Sequence, residues 1–213
     1  MPPKPLPMVG NLIVEAFGAS RSMNPTIANE WIKASYKGGG QIPESAMFVS
    51  IQRLGELDAL CRALEDELTV APPAEGQLDL RPNYLMLLSE LWIGAAYAIS
   101  YAFLDRGLYK GDQEFESVAE DLRMIRVQLE KHQIPSDRKL DEPLNLMTAP
   151  GQPGTVRTFR YDKSNPLRGH IGRTGMSDRR SPMWEVIDVK NNMTMRWLER
   201  RSLAERLLKA LLK

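Results

Sequence analysis

Fourteen consecutive residues, Leu91 to Leu104 (LWIGAAYAISYAFL), carry no charge and stand between Glu90 and Asp105. A bilayer span needs about 20 apolar residues, so this run reads as a buried helix of a soluble protein. A helix that is apolar nearly all round has to be wrapped by other elements, which makes the chain a helical assembly built around residues 83–106.

The flanking sequence supplies the wrapping. A helix is expected over about 46–69, where Phe48, Ile51, Leu54, Leu57, Cys61, Leu64 and Leu68 recur at spacings of three and four. Its Asp58, Glu65 and Glu67 read as an ordinary polar face. Phe115, Val118, Leu122, Ile125 and Leu129 repeat the pattern over 113–132. The expectation is an antiparallel bundle of three long helices, the middle one buried and stopped by Gly107. A shorter helix over 24–37 has Asn24 as N-cap, Pro25 in first position and the run Gly38 to Gly40 as its end. Ahead of it, four prolines within the first seven residues and Glu15 inside a short apolar run do not make a secretory signal; they read as a flexible arm entering a short helix.

Beyond the bundle, Pro135, Pro143, Pro150 and Pro153 deny helix to 133–154, and APPAEG at 71–76 does the same between the first two long helices. TVRTFRYD at 155–162 reads as a strand. MWEVIDVKNNMTMRWLERR reads as a hairpin turning at Asn191-Asn192, which places Trp184, Val186, Met195 and Trp197 on one face. Ser202 and Glu205 form a capping box for a last helix carrying Leu203, Leu207, Leu208 and Leu211. The fold class is therefore α+β. Four segments are expected: an arm and short helix at 1–45, the bundle at 46–132, a Pro-rich connection at 133–154, and a basic β-hairpin and helix at 155–213.

Charge divides the chain along the same line. Residues 1–150 hold 14 basic and 21 acidic side chains, whereas 151–213 hold 14 basic and 6 acidic. Such asymmetry points to a basic module that meets an anion, either nucleic acid or the protein's own acidic helices. The charge is densest in RGHIGRTGMSDRR, residues 168–180. Its glycines let backbone amides turn toward an anion, and Arg168, Arg173, Arg179 and Arg180 offer forked donors for phosphate. His170 can donate, accept or shuttle a proton near neutrality. The spacing is neither a P-loop nor a dinucleotide fingerprint, and the alternative is a solvated loop between strands.

Other chemistry is sparse. One cysteine and two histidines exclude a disulfide framework and disfavour a zinc site, so no metal or cofactor is expected. Cys61 lies on an apolar stripe and reads as core, in keeping with a reducing cytoplasm. Glu90, set among apolar residues, reads as a carboxylate that pairs or reaches a wet edge. Trp184, Trp197, Phe159 and Tyr161 interleave with Arg157, Arg160, Arg196 and Arg200, which suits either base stacking with phosphate contacts or a strand with its aromatics in the core.

RVQLEKH, Arg126 to His132, resembles the R-x4–6-H motif of HEPN-domain ribonucleases, all-helical proteins of bacterial toxin and defence systems. The resemblance covers about residues 46–132. It implies that Arg126 and His132 share a cleft, usually at a dimer interface, and cleave RNA without metal. An undistorted helix would set these two side chains about 120° apart, so their convergence requires the helix to end before His132, as the approach of Pro135 allows.

Three functional classes follow. The first is an interaction protein that binds an anionic partner, nucleic acid above all, through Arg168, His170, Arg173, Arg179 and Arg180. The second is a metal-independent ribonuclease acting through Arg126 and His132, for which a homodimer is the natural form. The third is a structural or scaffold protein whose basic tail docks on its own acidic helices. No membrane partner is expected.

Overall fold

The computed structural model describes residues 8–42, 44–71, 78–147 and 158–213. The proline-rich arm at 1–7, most of APPAEG, and residues 148–157, which take in the end of the connection and the first three positions of the expected strand, including Arg157, lie outside the described residues. The fold is α+β: helices α1 (Met8–Met23), α2 (Pro25–Gly39), α3 (Met47–Val70), α4 (Arg81–Asp105), α5 (Gln113–Lys131) and α6 (Arg200–Leu211), with two small antiparallel sheets. β1 (Leu144–Met147) pairs with β2 (Thr158–Tyr161), and β3 (Thr174–Met176), β4 (Pro182–Asp188) and β5 (Thr194–Glu199) form the second sheet in that order.

Helix α5 shows why the long helices form where the sequence places them. Asp112 accepts hydrogen bonds from the amides of Glu114 and Phe115 at 3.0 and 3.1 Å, satisfying two of the free donors of the first turn. Its stripe of Phe115, Val118, Leu122 and Ile125 is fully buried. The helix stops when His132 takes a left-handed conformation at φ 51°, its amide still bonded to Gln128.

One core spans the molecule. Trp31 of α2, Ile51 and Leu54 of α3, Trp92 and Phe103 of α4, and the α5 stripe pack with Trp184 and Val186 of β4 and Leu203, Leu207 and Leu211 of α6. The C-terminal segment is thus part of the same core as the bundle. A smaller cluster of Ile134, Leu140, Tyr161 and Ile187 seats the first sheet.

Several local expectations are refined or corrected. The glycine run does end α2, at Gly39 with Gly40 as C-cap, but Gly38 and Gly39 are buried within the helix, and a Cβ on Gly39 would fall 2.6 Å from the Cα of Phe48. These glycines serve close packing of α2 on α3. Asn24 precedes α2, but its side chain makes no cap hydrogen bond.

The hairpin turns through residues 189–193, with Asn192 and Met193 both at positive φ, so that Trp184 faces Leu198 and Val186 faces Arg196. A one-residue difference in register moves alternate side chains to the opposite face. Met195 and Trp197 consequently point outward, away from the buried Trp184. Ser202 lies inside α6 rather than at its cap, because β5 runs straight into the helix at Glu199, whose carboxylate accepts the Ser202 hydroxyl at 2.6 Å.

The polar face of α3 is the largest departure. Asp58 and Glu65 are fully buried, with Arg62 beside them. Arg200 of α6, itself fully buried, reaches Asp58 at 2.5 Å and Glu65 at 2.7 Å, while Arg62 and the indole N–H of Trp31 hold the other Asp58 oxygen at 3.0 and 2.9 Å. Buried charges persist where they are paired and hydrogen-bonded, and this cluster locks α2, α3 and α6 together. Finally, α4 is buried on one side only. Tyr84, Leu87, Leu91 and Tyr101 all face outward.

Candidate anion-binding site

The Arg/Gly segment crosses the end of α5. The amide of His170 donates to the carbonyl of His132 at 2.6 Å, and the amide of Gly172 donates to the buried Gln128 side chain at 2.9 Å. Contact at Gly172 is so close that a Cβ there would fall 2.0 Å from the Glu185 carbonyl oxygen and 2.5 Å from Gln128 Oε1. Gly172→Ala is therefore expected to push the segment off α5 and β4 and to destabilise the fold by about 1–3 kcal/mol, read as a lower Tm. In the same variant the His170 pKa, held low by burial in the parent despite the nearby Glu185 carboxylate, should rise toward its ordinary value in an NMR titration.

Most of the arginines nominated from the sequence already hold carboxylates. Arg168 Nε meets Asp137 at 2.6 Å, and Arg173 Nε meets Glu185 at 2.8 Å. Arg179 spans Glu199 at 2.5 Å and Glu205 at 3.1 Å. Arg180, at φ 59° in the β3–β4 turn, has no carboxylate partner among the described residues. The pattern extends through the segment: Lys190, Arg196, Arg200, Arg201, Arg206 and Lys213 all reach acidic residues of α3 and of the α5 region. Of the interleaved aromatics, Trp184 and Tyr161 are core, while the Arg173 guanidinium lies 5.9 Å over the outward Trp197 ring.

Two hollows flank the α5 terminus. One, of about 740 Å³, is lined by both histidines of the chain with Met147, Phe159, Arg173 and Glu185. His170 stacks near Phe159, ring centroids 6.4 Å apart, and meets Tyr161 edge-on. Burial lowers its pKa, so it is neutral at physiological pH and presents a flat, uncharged ring. The second hollow, of about 440 Å³, is lined by Arg123, Lys131, Arg138, Lys139 and Arg168, with Asp137 as the one carboxylate. Its floor is a single 3-10 turn, Asp137–Lys139, fixed by a hydrogen bond from the Tyr161 hydroxyl to Asp137 at 2.8 Å and by Lys163, which donates to the Leu140 carbonyl. Arg123 is paired with Glu120 at 2.6 Å and also donates to Ser136. Lys131, Arg138 and Lys139 are exposed and have no carboxylate partner among the described residues.

Arg126 and His132 do not line a common hollow. His132 borders the histidine-lined cleft, whereas Arg126 pairs with Glu130 at 2.6 Å, lies 4.6 Å over the Tyr97 ring and borders a groove between α4 and α5. Glu90 borders that groove as well, its pKa raised by burial. Burial also pushes the Cys61 thiol up to about 11, which leaves it protonated and unreactive at neutral pH. Among the described residues no group of three or more His, Cys, Asp or Glu side chains could hold a metal ion.

The sequence reading missed Lys131, Arg138 and Lys139 because they follow no motif. Their one signal is a dibasic pair placed just after Pro135, where the chain has to turn. Comparison with protein-family models, with curated proteins and with solved structures gave no match to this chain.

Proposed function

We propose that the chain is a soluble, non-enzymatic interaction protein that binds a phosphate-bearing partner, a single-stranded nucleic acid, at the end of α5. The observation that carries this reading is the basic hollow, where five cations meet one carboxylate and three of the cations have no acidic partner among the described residues. A phosphate seated there gains charge-assisted hydrogen bonds from lysine and arginine. The adjoining cleft offers the neutral His170 ring, Phe159 and Met147 for a flat base, the combination of stacking and cations used on single strands. In this reading the arginines of the C-terminal segment chiefly hold the fold, and Arg168 alone of the sequence-nominated set lines the basic hollow.

Binding of a fluorescein-labelled single-stranded RNA, followed by anisotropy, tests it. Three neutralised phosphates give a slope of about −2 in log affinity against log salt, so affinity should drop roughly twentyfold between 50 and 200 mM salt. The triple variant Lys131→Glu, Arg138→Glu, Lys139→Glu should lose at least tenfold and keep its Tm, since all three side chains are exposed. Salt-insensitive binding, or a triple variant that binds as well as the parent, refutes the proposal.

A further inference from the structure

Helix α4 carries an apolar seam on the side that the bundle leaves open. Leu80, Tyr84, Leu87, Leu91, Gly94, Ala98 and Tyr101 follow one another at alternating steps of four and three, the spacing of a helix-pairing face. Tyr84, Leu87, Leu91 and Tyr101 are 53, 51, 58 and 56% exposed. No charged residue interrupts the seam between Tyr84 and Tyr101.

We propose that this face is the contact between two copies of the chain, their α4 helices packed antiparallel about a two-fold axis. Three observations select a second copy over another occupant. The seam is self-complementary in size: with the axis between Leu91 and Gly94, Leu91 of one copy meets Gly94 of the other, Leu87 meets Ala98, and Tyr84 meets Tyr101. A two-fold contact uses the same patch twice, so each pair recurs on both sides of the axis: leucine against a small residue at the centre, tyrosine against tyrosine at the ends. The ends are complementary in charge. Arg81, which holds Asp79 of its own chain at 3.0 Å, flanks one end and the exposed Asp105 the other, so antiparallel packing sets Arg81 against Asp105.

The area also suffices. The half-exposed side chains of the seam would bury on the order of 600 Å² per copy, about 1,200 Å² in all, the lower bound of a specific interface. A hollow of about 180 Å³ beside the seam, bordered by Leu87, Leu91, Gly94 and Leu129 on one side and by Glu90, Arg126 and Glu130 on its polar rim, can receive a side chain of the second helix. By length and composition α4 could also cross a membrane, which makes a lipid layer the competing occupant.

Engineered disulfides test the arrangement, because the native Cys61 is buried and silent. Tyr84→Cys and Tyr101→Cys chains, mixed and oxidised, should form covalent dimers. Neither chain alone should do so, since the like positions lie about 25 Å apart along antiparallel helices. In sedimentation the parent should be dimeric, and Leu91→Glu monomeric with an unchanged circular dichroism spectrum and Tm. A monomeric parent overturns the proposal, and so do single-cysteine chains that cross-link as readily as the mixture. So does flotation of the parent with phosphatidylcholine vesicles that Leu91→Glu abolishes.

Discussion

Replacing Arg200 by methionine is expected to cost about 3–5 kcal/mol and to lower the Tm by on the order of 10 °C, because it strands buried carboxylates. Arg200 is fully buried and joins Asp58 to Glu65. Without it, Asp58 keeps Arg62 and Trp31, but among the described residues Glu65 keeps only the 3.4 Å contact with Arg201. Most of the loss therefore falls on Glu65. The double variant Arg200→Met, Glu65→Met should recover about half of the lost stability, since a buried ion pair can be exchanged for apolar side chains far more cheaply than it can be broken. Thermal denaturation of the three chains checks this. Equal stability of the parent and the single variant would show that the cluster does not join α3 to α6.

Acidification should have an effect of similar size. Burial alone would raise the pKa of Asp58, but the guanidiniums of Arg200 and Arg62 outweigh it and hold the carboxyl below its ordinary value. Glu199 is likewise pushed up by its surroundings and pulled down further by Arg179, Ser177 and Ser202, to about 2. A carboxyl whose pKa is lowered by folding binds its proton more readily in the unfolded chain. Its contribution is complete above the unfolded value near 4 and drains away as pH falls through the folded value. The Tm should be nearly flat from pH 7 to about pH 5, then fall steeply below pH 4 and keep falling toward pH 2. A Tm unchanged down to pH 3 would contradict the view that the Asp58 cluster holds α6 to α3 and that Glu199 fastens the β3–β4 turn.

How much of this was legible in the sequence depends on what each residue pattern had to compete with. The α5 stripe repeats without interruption, so the helix is readable to within a residue, and the structure adds Asp112 as its cap. Asp58 and Glu65 are charged, and nothing along α3 itself says they face inward. Their partner, Arg200, lies far along the chain, and only tertiary contact reveals it. The glycines at 38 and 39 carry the ordinary mark of a helix end, and α2 does end there, but packing on Phe48 also uses their lack of a side chain, which the sequence does not announce. In the hairpin, Asn191-Asn192 suggested a two-residue turn, and a longer connection reversed the face that Trp197 shows. The apolar run at 91–104 correctly places α4 in the bundle but implies burial on every side, whereas one face stays open.

For the site, the sequence located a concentration of cations but not their partners. Arg168, Arg173 and Arg179 drew notice because arginine among glycine is a phosphate pattern, and each is matched by a carboxylate that no local rule could supply. Charge asymmetry between the two parts of the chain pointed with equal force to an external anion and to internal docking. The ion pairs from Lys190 to Lys213 support docking as the main use of the basic segment, with the leftover charge gathered at Lys131, Arg138 and Lys139 on the acidic side of the division.

The most direct measurement compares two variants in one RNA titration. Arg179→Gln removes a cation already matched by Glu199 and Glu205, whereas the triple reversal at Lys131, Arg138 and Lys139 removes cations with no such match among the described residues. An affinity unchanged by Arg179→Gln and lost in the triple variant is the result expected here. Loss in Arg179→Gln, with the triple variant binding like the parent, would place the anion on the C-terminal arginines and contradict the account.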